Sequence, residues 1–352
     1  MVKKDIRALS LEALTELLKT EGEPAFRAKQ VYDWLWAKRV VDFQKMSNLS
    51  VKLRSFLEEN FSINAVEIHD LQVSKDRTIK CAMKLHDNYV VESVLIPHQS
   101  RMTACISSQV GCSLSCTFCA TGKLKRMRNL NADEIFDQVA LIKQTAAERY
   151  DAPLTNIVYM GMGEPLLNYA EVLRSVEKIT SPEGLGMSPR RITVSTAGVA
   201  KMITRLGDDG VKFNLALSLH AANDEKRSSI MPINETNTLE NLADALNYFY
   251  EKTGNRPTLE YIVFKDFNDS IKDARELVDF CRKVRSKVNI IEYNSVDGAE
   301  FQQTTKERLL DFTNYLTDHG IICNVRHSRG KDIDAACGQF ANKNKLISPE
   351  LK

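Results

Sequence analysis

From about residue 103 to residue 325 the chain repeats one unit: a short apolar run, then a longer amphipathic stretch. Strand-like runs fall at 104–108, 156–160, 191–195, 213–219, 259–264, 288–293 and 321–325. Helical runs lie between them, near 132–148, 169–179, 199–206, 239–252, 270–284 and 305–319. Parallel strands need long crossover connections, so this alternation implies an α/β fold with a parallel sheet. No glycine fingerprint for dinucleotides follows the first strand. About six units therefore fit a partial (β/α)6-type barrel better than a doubly wound sheet. Chemistry in such a barrel belongs at the C-terminal ends of its strands.

Upstream the pattern differs. Leu11, Leu14, Leu17 and Leu18 recur at helical spacing over 9–20, with Ser10 as N-cap and a break at Gly22 and Pro24. A second helix carries Phe26, Val31, Trp34 and Leu35, with Trp34 expected in its core. A third carries Val51, Leu53, Phe56 and Leu57. Residues 78–85 and 89–96 alternate with period two around His86-Asp-Asn88, the pattern of a hairpin. The expected organisation is a helical domain over 1–62, a strand-rich connector over 63–98, the barrel over 99–340 and a tail over 341–352. With 352 residues, 43% of them hydrophobic, the chain buries a core without staples. Its net charge of +2 excludes a simple polycationic binder but permits local basic patches.

The 8 cysteines are Cys81, Cys105, Cys112, Cys116, Cys119, Cys281, Cys323 and Cys337. An even count is compatible with four disulfides, a metal site or buried thiols. The opening Met1-Val-Lys-Lys-Asp5-Ile-Arg7 lacks the apolar stretch of a signal peptide, and no run reaches the ~18–20 apolar residues of a membrane span. A cytoplasmic protein, with no membrane partner, is expected, and there thiols stay reduced. Clustered cytosolic cysteines hold a metal or do redox chemistry. The cluster is Cys112-Ser-Leu-Ser-Cys116-Thr-Phe-Cys119, in the loop after the first strand-like run. Thiolates are the usual ligands of iron–sulfur clusters, and three of them leave one iron of a cubane open. A zinc site would have to recruit a fourth ligand from elsewhere.

The spacing of these cysteines, with an aromatic before the last, resembles the signature of the radical S-adenosylmethionine (SAM) superfamily. That resemblance implies a [4Fe-4S] cluster on Cys112, Cys116 and Cys119, with SAM on the open iron. Met160-Gly-Met-Gly163-Glu164-Pro165 resembles the superfamily's motif for the cofactor amine. By the same resemblance Gly163, Glu164, Ser195, Ser218, Leu219, His220 and Asn294 would contact SAM. Alone, the glycine motif would more often be a turn and His220 a packed core histidine. Three further stretches narrow the match: Cys105-Ile-Ser-Ser-Gln-Val-Gly-Cys112, Met231-Pro-Ile-Asn234 and Asp332-Ile-Asp-Ala-Ala-Cys337-Gly-Gln339. With Pro165-Leu-Leu-Asn168 they resemble the RNA adenine methyltransferases of the superfamily, in the branch that acts at C2. The resemblance runs from roughly residue 25 to 340.

That branch implies methylation of adenine C2 in 23S ribosomal RNA and at adenine 37 of transfer RNA. Adenine C2 is a poor nucleophile, so simple transfer of an electrophilic methyl group does not suit it. In the family's scheme Cys337 carries the methyl group, Cys105 attacks the Cys337 sulfur to release product, and Glu92 takes the C2 proton. A carboxylate in a dry pocket suits general-base work, whereas by position alone Glu92 would be a solvated residue on an alternating strand. The scheme also implies an electron donor such as flavodoxin, and a monomeric enzyme.

RNA contact is expected from Arg27, Lys29, Lys38, Arg39, Lys45, Lys52 and Arg54 around Tyr32, Trp34 and Trp36. Lys123, Lys125, Arg126 and Arg128 follow the cysteine loop, and Arg326, Arg329 and Lys331 precede Cys337. Two competing readings are a related methyltransferase acting at adenine C8 and an inactive RNA-binding protein with a structural metal. The segment 295–300 lacks the prolines usual in the family, which puts that loop's RNA contacts in question.

Overall fold

A computed structural model of the chain describes residues 3–341, so the expected tail lies outside the described residues except for Ala341. Strand β1 (Lys4–Asp5) leads into helices α1 (Leu11–Thr20), α2 (Phe26–Trp36) and α3 (Val51–Asn60), and then β2 (Phe61–Ser62). β1 and β2 pair in parallel and clip the ends of this unit together. Ser10 and Ser50 cap α1 and α3, each oxygen accepting a backbone N–H at 3.1 Å. Helix α2 buries Ala28, Val31, Tyr32, Leu35 and Trp36. Trp36, not Trp34, is the core tryptophan. It continues the buried stripe four residues after Tyr32, whereas Trp34 lies on the flank, half-buried, with Lys38 Nζ 3.7 Å above its ring.

Next come β3 (Glu67–Val73), β4 (Ile79–Lys84), β5 (Val90–His98) and β6 (Arg101–Cys105), an antiparallel meander. The short β7 (Gln109–Val110) and β8 (Arg128–Asn129) follow. The repeat then runs α4 (Ala132–Tyr150), β9 (Asn156–Tyr159), α5 (Tyr169–Thr180), β10 (Ile192–Thr196), α6 (Ala200–Asp208) and β11 (Asn214–Ser218). It continues through α7 (Asp224–Ile230), α8 (Leu239–Thr253), β12 (Thr258–Val263), α9 (Ile271–Lys283), β13 (Lys287–Glu292), α10 (Lys306–Asp318) and β14 (Cys323–Arg326). Ten of these strands form one sheet in the order β14-β13-β12-β11-β10-β9-β6-β5-β4-β3. From β6 through β9 to β14 every pairing is parallel, the expected partial barrel, and the meander extends it on one side.

One boundary moves. The first barrel strand spans Arg101–Cys105 rather than 104–108, so Cys105 stands at its C-terminal end. Gln138 of α4 takes over beyond it: Oε1 accepts from Ser107 N at 2.9 Å and Nε2 donates to Ser107 O at 3.1 Å. The helical unit is tied to α4 by charge. Arg7, 1% exposed, lies 3.3 Å from Asp133 and 3.0 Å from Asp137, and Arg39 reaches Asp137 at 3.1 Å. Trp36 packs edge-on against Phe136 of α4 at 5.1 Å.

Candidate active site

The cysteine loop is bracketed by β7 and β8, which pair Gln109 with Asn129 and Val110 with Arg128. Within it Cys119 N donates to Cys116 O at 3.2 Å, and Ser115 takes a left-handed backbone (φ 53°). Cys112, Cys116 and Cys119 are all half-buried. Burial pushes the Cys112 thiol up to about 11 and raises those of Cys116 and Cys119 as well. The thiols of Cys112 and Cys119 push Cys116 further in that direction, so the three are near neighbours. Among the described residues no three His, Cys, Asp or Glu side chains converge on a single ion. Three thiolates in one loop can each take one iron of a cubane. The aromatic of the motif, Phe118, is 6% exposed and packs edge-on against His220 at 4.9 Å.

The glycine motif lies against this loop. Gly163 has φ 97°, and a Cβ there would stand 2.5 Å from Gln109 Cβ. A Cβ on Gly161 would meet Ser107 Oγ at 2.6 Å and Ile106 O at 2.7 Å, so only glycine permits the approach. Gln109 Oε1 accepts from Glu164 N at 2.8 Å and links the two loops. Glu164 is buried, with Oε1 accepting from Leu166 N at 3.0 Å and Oε2 from Ala197 N at 2.7 Å. The Thr196 side chain bonds to it as well, and a carboxylate has lone pairs beyond these three bonds. Asn168 Nδ2 donates to Ser108 O and Leu130 O, pinning the end of the motif.

The other expected cofactor residues line the same strand ends. Ser195 Oγ and Ser218 Oγ are 3.5 Å apart across β10 and β11. Leu219 and His220 both donate backbone N–H groups to Glu260 O. His220 is buried in a left-handed conformation (φ 58°). Its Nδ1 accepts from Ile262 N at 3.1 Å, which places the proton of the neutral ring on Nε2. Burial, aided by nearby Arg227, draws its pKa down to about 3. Asn294 Nδ2 reaches Cys337 O at 3.5 Å, and its buried Oδ1 has no partner among the described residues.

Cys105 and Cys337 come from opposite ends of the barrel. Cys105 faces Val94 on β5 and Val158 on β9. Burial pushes its thiol far up, and the neighbouring Cys337 adds to that. Cys337 is accessible to solvent, yet enough protein surrounds it that desolvation raises its thiol too, with Glu260 adding and Arg326 opposing. The segment carrying it is stitched down on both sides. Asp332 accepts from Ser74 Oγ at 2.6 Å and Lys75 N at 3.1 Å, while Ala120 N donates to Gly338 O at 2.7 Å and Thr121 Oγ1 to Phe340 O at 2.7 Å. Glu92 is 1% exposed rather than solvated, and Lys80 Nζ lies 3.3 Å from its Oε1 and 3.4 Å from Asp334 O. Strand alternation puts Lys80, Glu92 and Cys105 on one face of the sheet, because Lys80 and Cys105 both pair opposite Val94.

Sequence reasoning missed several residues here. Glu260 sits buried on β12, its Oε1 bonded to Asn289 Nδ2 at 2.8 Å and its Oε2 unpartnered among the described residues. A single carboxylate inside an apolar strand was the available signal. Lys80 had a similar one. Some expected RNA contacts are instead structural. Arg39 is bound to Asp137, and Arg128 to Asp87 and Glu134. Lys29, Lys38, Lys45, Lys52, Lys125, Arg126 and Arg326 are exposed. The 295–300 loop is tied down as well, with Lys123 Nζ bonded to Asp297 O and Gln339 Nε2 to Ser295 O. Cys81, Cys281 and Cys323 are free thiols, Cys81 buried and the other two half-buried.

Residues 106–281 match the family model of the radical SAM superfamily. A three-cysteine loop at the first strand end of a partial barrel, with that match, makes this a radical SAM enzyme. Residues 4–63 match the model of the ribosomal RNA large subunit methyltransferase N-terminal domain. The chain is 59% identical over 341 residues to a probable dual-specificity RNA methyltransferase RlmN from Cytophaga hutchinsonii, covering 97% of this chain and 93% of that one. It is 44% identical to a protein of the same description from Salinibacter ruber, covering 96% and 94%. A crystal structure of a radical SAM methyltransferase from Sphaerobacter thermophilus aligns with a TM-score of 0.90 at 38% identity, covering 96% of this chain and 99% of that one. The chain belongs to the RlmN family of radical SAM methyltransferases, whose cofactors are a [4Fe-4S] cluster and SAM. Among the described residues no helix is long and apolar enough to cross a membrane.

Proposed function

We propose that this chain methylates C2 of a specific adenine in 23S ribosomal RNA and of adenine 37 in transfer RNA, with two molecules of SAM per turnover and a methyl-cysteine at Cys337. What supports this reading is that the Cys337 thiol acts on that of Cys105, and that buried Glu92 is bound to Lys80, whose Nζ also lies 3.4 Å from Asp334 O in the segment carrying Cys337. A single thiol would suffice for storing a methyl group. A second one beside it answers the need to release product from sulfur.

The bound cluster and SAM supply a carbon radical and a methyl group. Cys112, Cys116 and Cys119 hold the cluster. Gly163, Glu164, Ser195, Ser218, Leu219, His220 and Asn294 hold SAM, with the unpartnered Asn294 Oδ1 and the remaining lone pairs of Glu164 as acceptors. Cys337 carries the methyl carbon on its sulfur. Glu92 accepts the C2 proton, held in place by Lys80. Once the carbon on Cys337 is bonded to C2, Cys105 attacks the Cys337 sulfur as a thiolate: the S–S bond forms, the S–C bond breaks with its electron pair going to the released carbon, and that carbon takes up a proton to complete the 2-methyl group. The resulting disulfide is reduced before the next cycle.

The helical domain over 1–62 and the exposed lysines around it serve RNA binding, and the target base is extruded to reach Cys337. An electron donor such as flavodoxin, a monomeric state and a cytoplasmic location complete the reading. The test is mass spectrometry of nucleosides from ribosomal and transfer RNA treated with reconstituted enzyme. 2-Methyladenosine is expected in both. The C8 isomer, or no methylated adenosine, overturns the assignment.

A further inference from the structure

Helix α7 lies between the cofactor strands and the cysteine loop, and its Arg227 has no part in the mechanism above. The side chain is 0% exposed. Nε donates to Leu219 O at 3.1 Å, Nη1 to Asn234 Oδ1 at 2.6 Å, and Nη2 to Ala197 O at 2.6 Å and Ser218 O at 3.2 Å. All four acceptors are uncharged. Asn234 is oriented for this task, because its Nδ2 donates to Asp224 Oδ1 at 2.8 Å and Ser228 Oγ at 2.9 Å, leaving its oxygen toward Arg227. That is the structural meaning of Met231-Pro-Ile-Asn234. Burying a cation without a direct counter-charge is costly; Asp224 compensates it in part from a distance, and an anion on the Cys116 side would do so further.

We propose that this anion is the iron–sulfur cluster, and that Arg227 is its fixed counter-cation, raising the cluster's reduction potential. The inference rests on Cys112, Cys116 and Cys119 being the cluster ligands. The same helix holds the loop directly: Thr117 N, next to Cys116, donates to Ile230 O at 3.1 Å. Ile230 and Met231 pack in one apolar group with Cys116 and Cys119. Charge interaction between Arg227 and Cys116 runs in the same direction, favouring the cation and the thiolate. A three-thiolate cubane gains one negative charge on reduction. A buried cation beside it stabilises the reduced form more than the oxidised one, with little screening by salt. Arg227 is therefore a positioning residue acting through charge.

The test is the midpoint potential of the reconstituted full-length enzyme, followed by spectro-electrochemical titration without RNA. Arg227→Met removes the charge and is expected to move the midpoint to a more negative value. Arg227→Lys keeps the charge and is expected to stay near the wild type. A brace without electrostatic effect would lower the melting temperature of both variants and leave both potentials unmoved, which overturns the proposal. Where the Met variant fails to fold, Asn234→Asp sets a carboxylate against the guanidinium. A negative shift is again expected there, and an unchanged potential again overturns the idea. Absence of iron–sulfur absorbance in the wild type itself would overturn the ligand assignment together with the role of Arg227.

Discussion

The cysteine loop and the Cys105–Cys337 pair are both made of thiols, but they are assembled in different ways. The loop folds on itself: β7 and β8 close its ends and Cys119 bonds back to Cys116. The pair depends on tertiary structure throughout. The segment of Cys337 is held at Asp332 by Ser74 and Lys75, and at Gly338 and Phe340 by the cysteine loop, which brings its thiol near enough to act on that of Cys105. A local site survives damage to distant anchors. A site assembled from both ends of the barrel does not, and that difference can be broken at several points.

The largest effects belong to the thiols. Cys116→Ala should abolish both iron–sulfur absorbance and methylation, a loss on the order of 10³-fold or more in rate. Cys337→Ala should lose methylation to the same extent while keeping the absorbance. Loss of the absorbance there would merge the two sites into one. Cys105→Ala should accumulate a covalent protein–RNA adduct visible on a denaturing gel, and clean turnover by that variant would remove Cys105 from product release.

Next in size is Glu92→Gln, expected to slow methylation by about 10²–10⁴-fold, the range of general-base contributions, with methyl-cysteine still formed on Cys337. Missing methyl-cysteine, measured by peptide mass spectrometry, would place Glu92 before the proton step. Asp332→Ala is expected to lower methylation severalfold and speed amide exchange over 330–340 without changing cluster content. Unchanged exchange there would show that the tail docks by other contacts.

The smallest effect is a pH dependence of stability at the cofactor end. His220 has a folded pKa of about 3, below its ordinary value near 6.5. Above pH 6.5 its contribution is fully present. As the pH falls toward 3 the unfolded chain takes up a proton that the folded one refuses, and stability drops by up to ~1.4 kcal/mol per pH unit. Urea midpoints at pH 6.5 and 5 should therefore fall more steeply for the wild type than for His220→Asn, by about 2 kcal/mol. Equal slopes would mean that the folded ring already carries its proton.

How much of this was legible in the residues follows the same division. Strands and helices repeat with short periods, so their order, the cap at Ser10 and the hairpin after β3 could be read directly. Helical phase is less forgiving: Trp34 and Trp36 are two residues apart, and only packing against Phe136 decided which enters the core. The basic residues after the cysteine loop looked alike as charges, yet Arg128 is consumed by Asp87 and Glu134 while Lys125 and Arg126 face solvent. Cys105, Cys337 and Glu92 were legible only through family resemblance, since nothing in their own neighbourhoods distinguishes them from buried thiols or a strand carboxylate.

The barrel's alternation and the three-thiol loop follow from the order of residues, because both are set by hydrogen bonds and side-chain periods over a few positions. The folded barrel is what brings Lys80 to Glu92, the Cys337 thiol near enough to act on Cys105, and buried Arg227 near enough to act on Cys116. Those pairings join segments far apart in the chain. Their energies come from desolvation and charge, which exist only once the surrounding strands have excluded water.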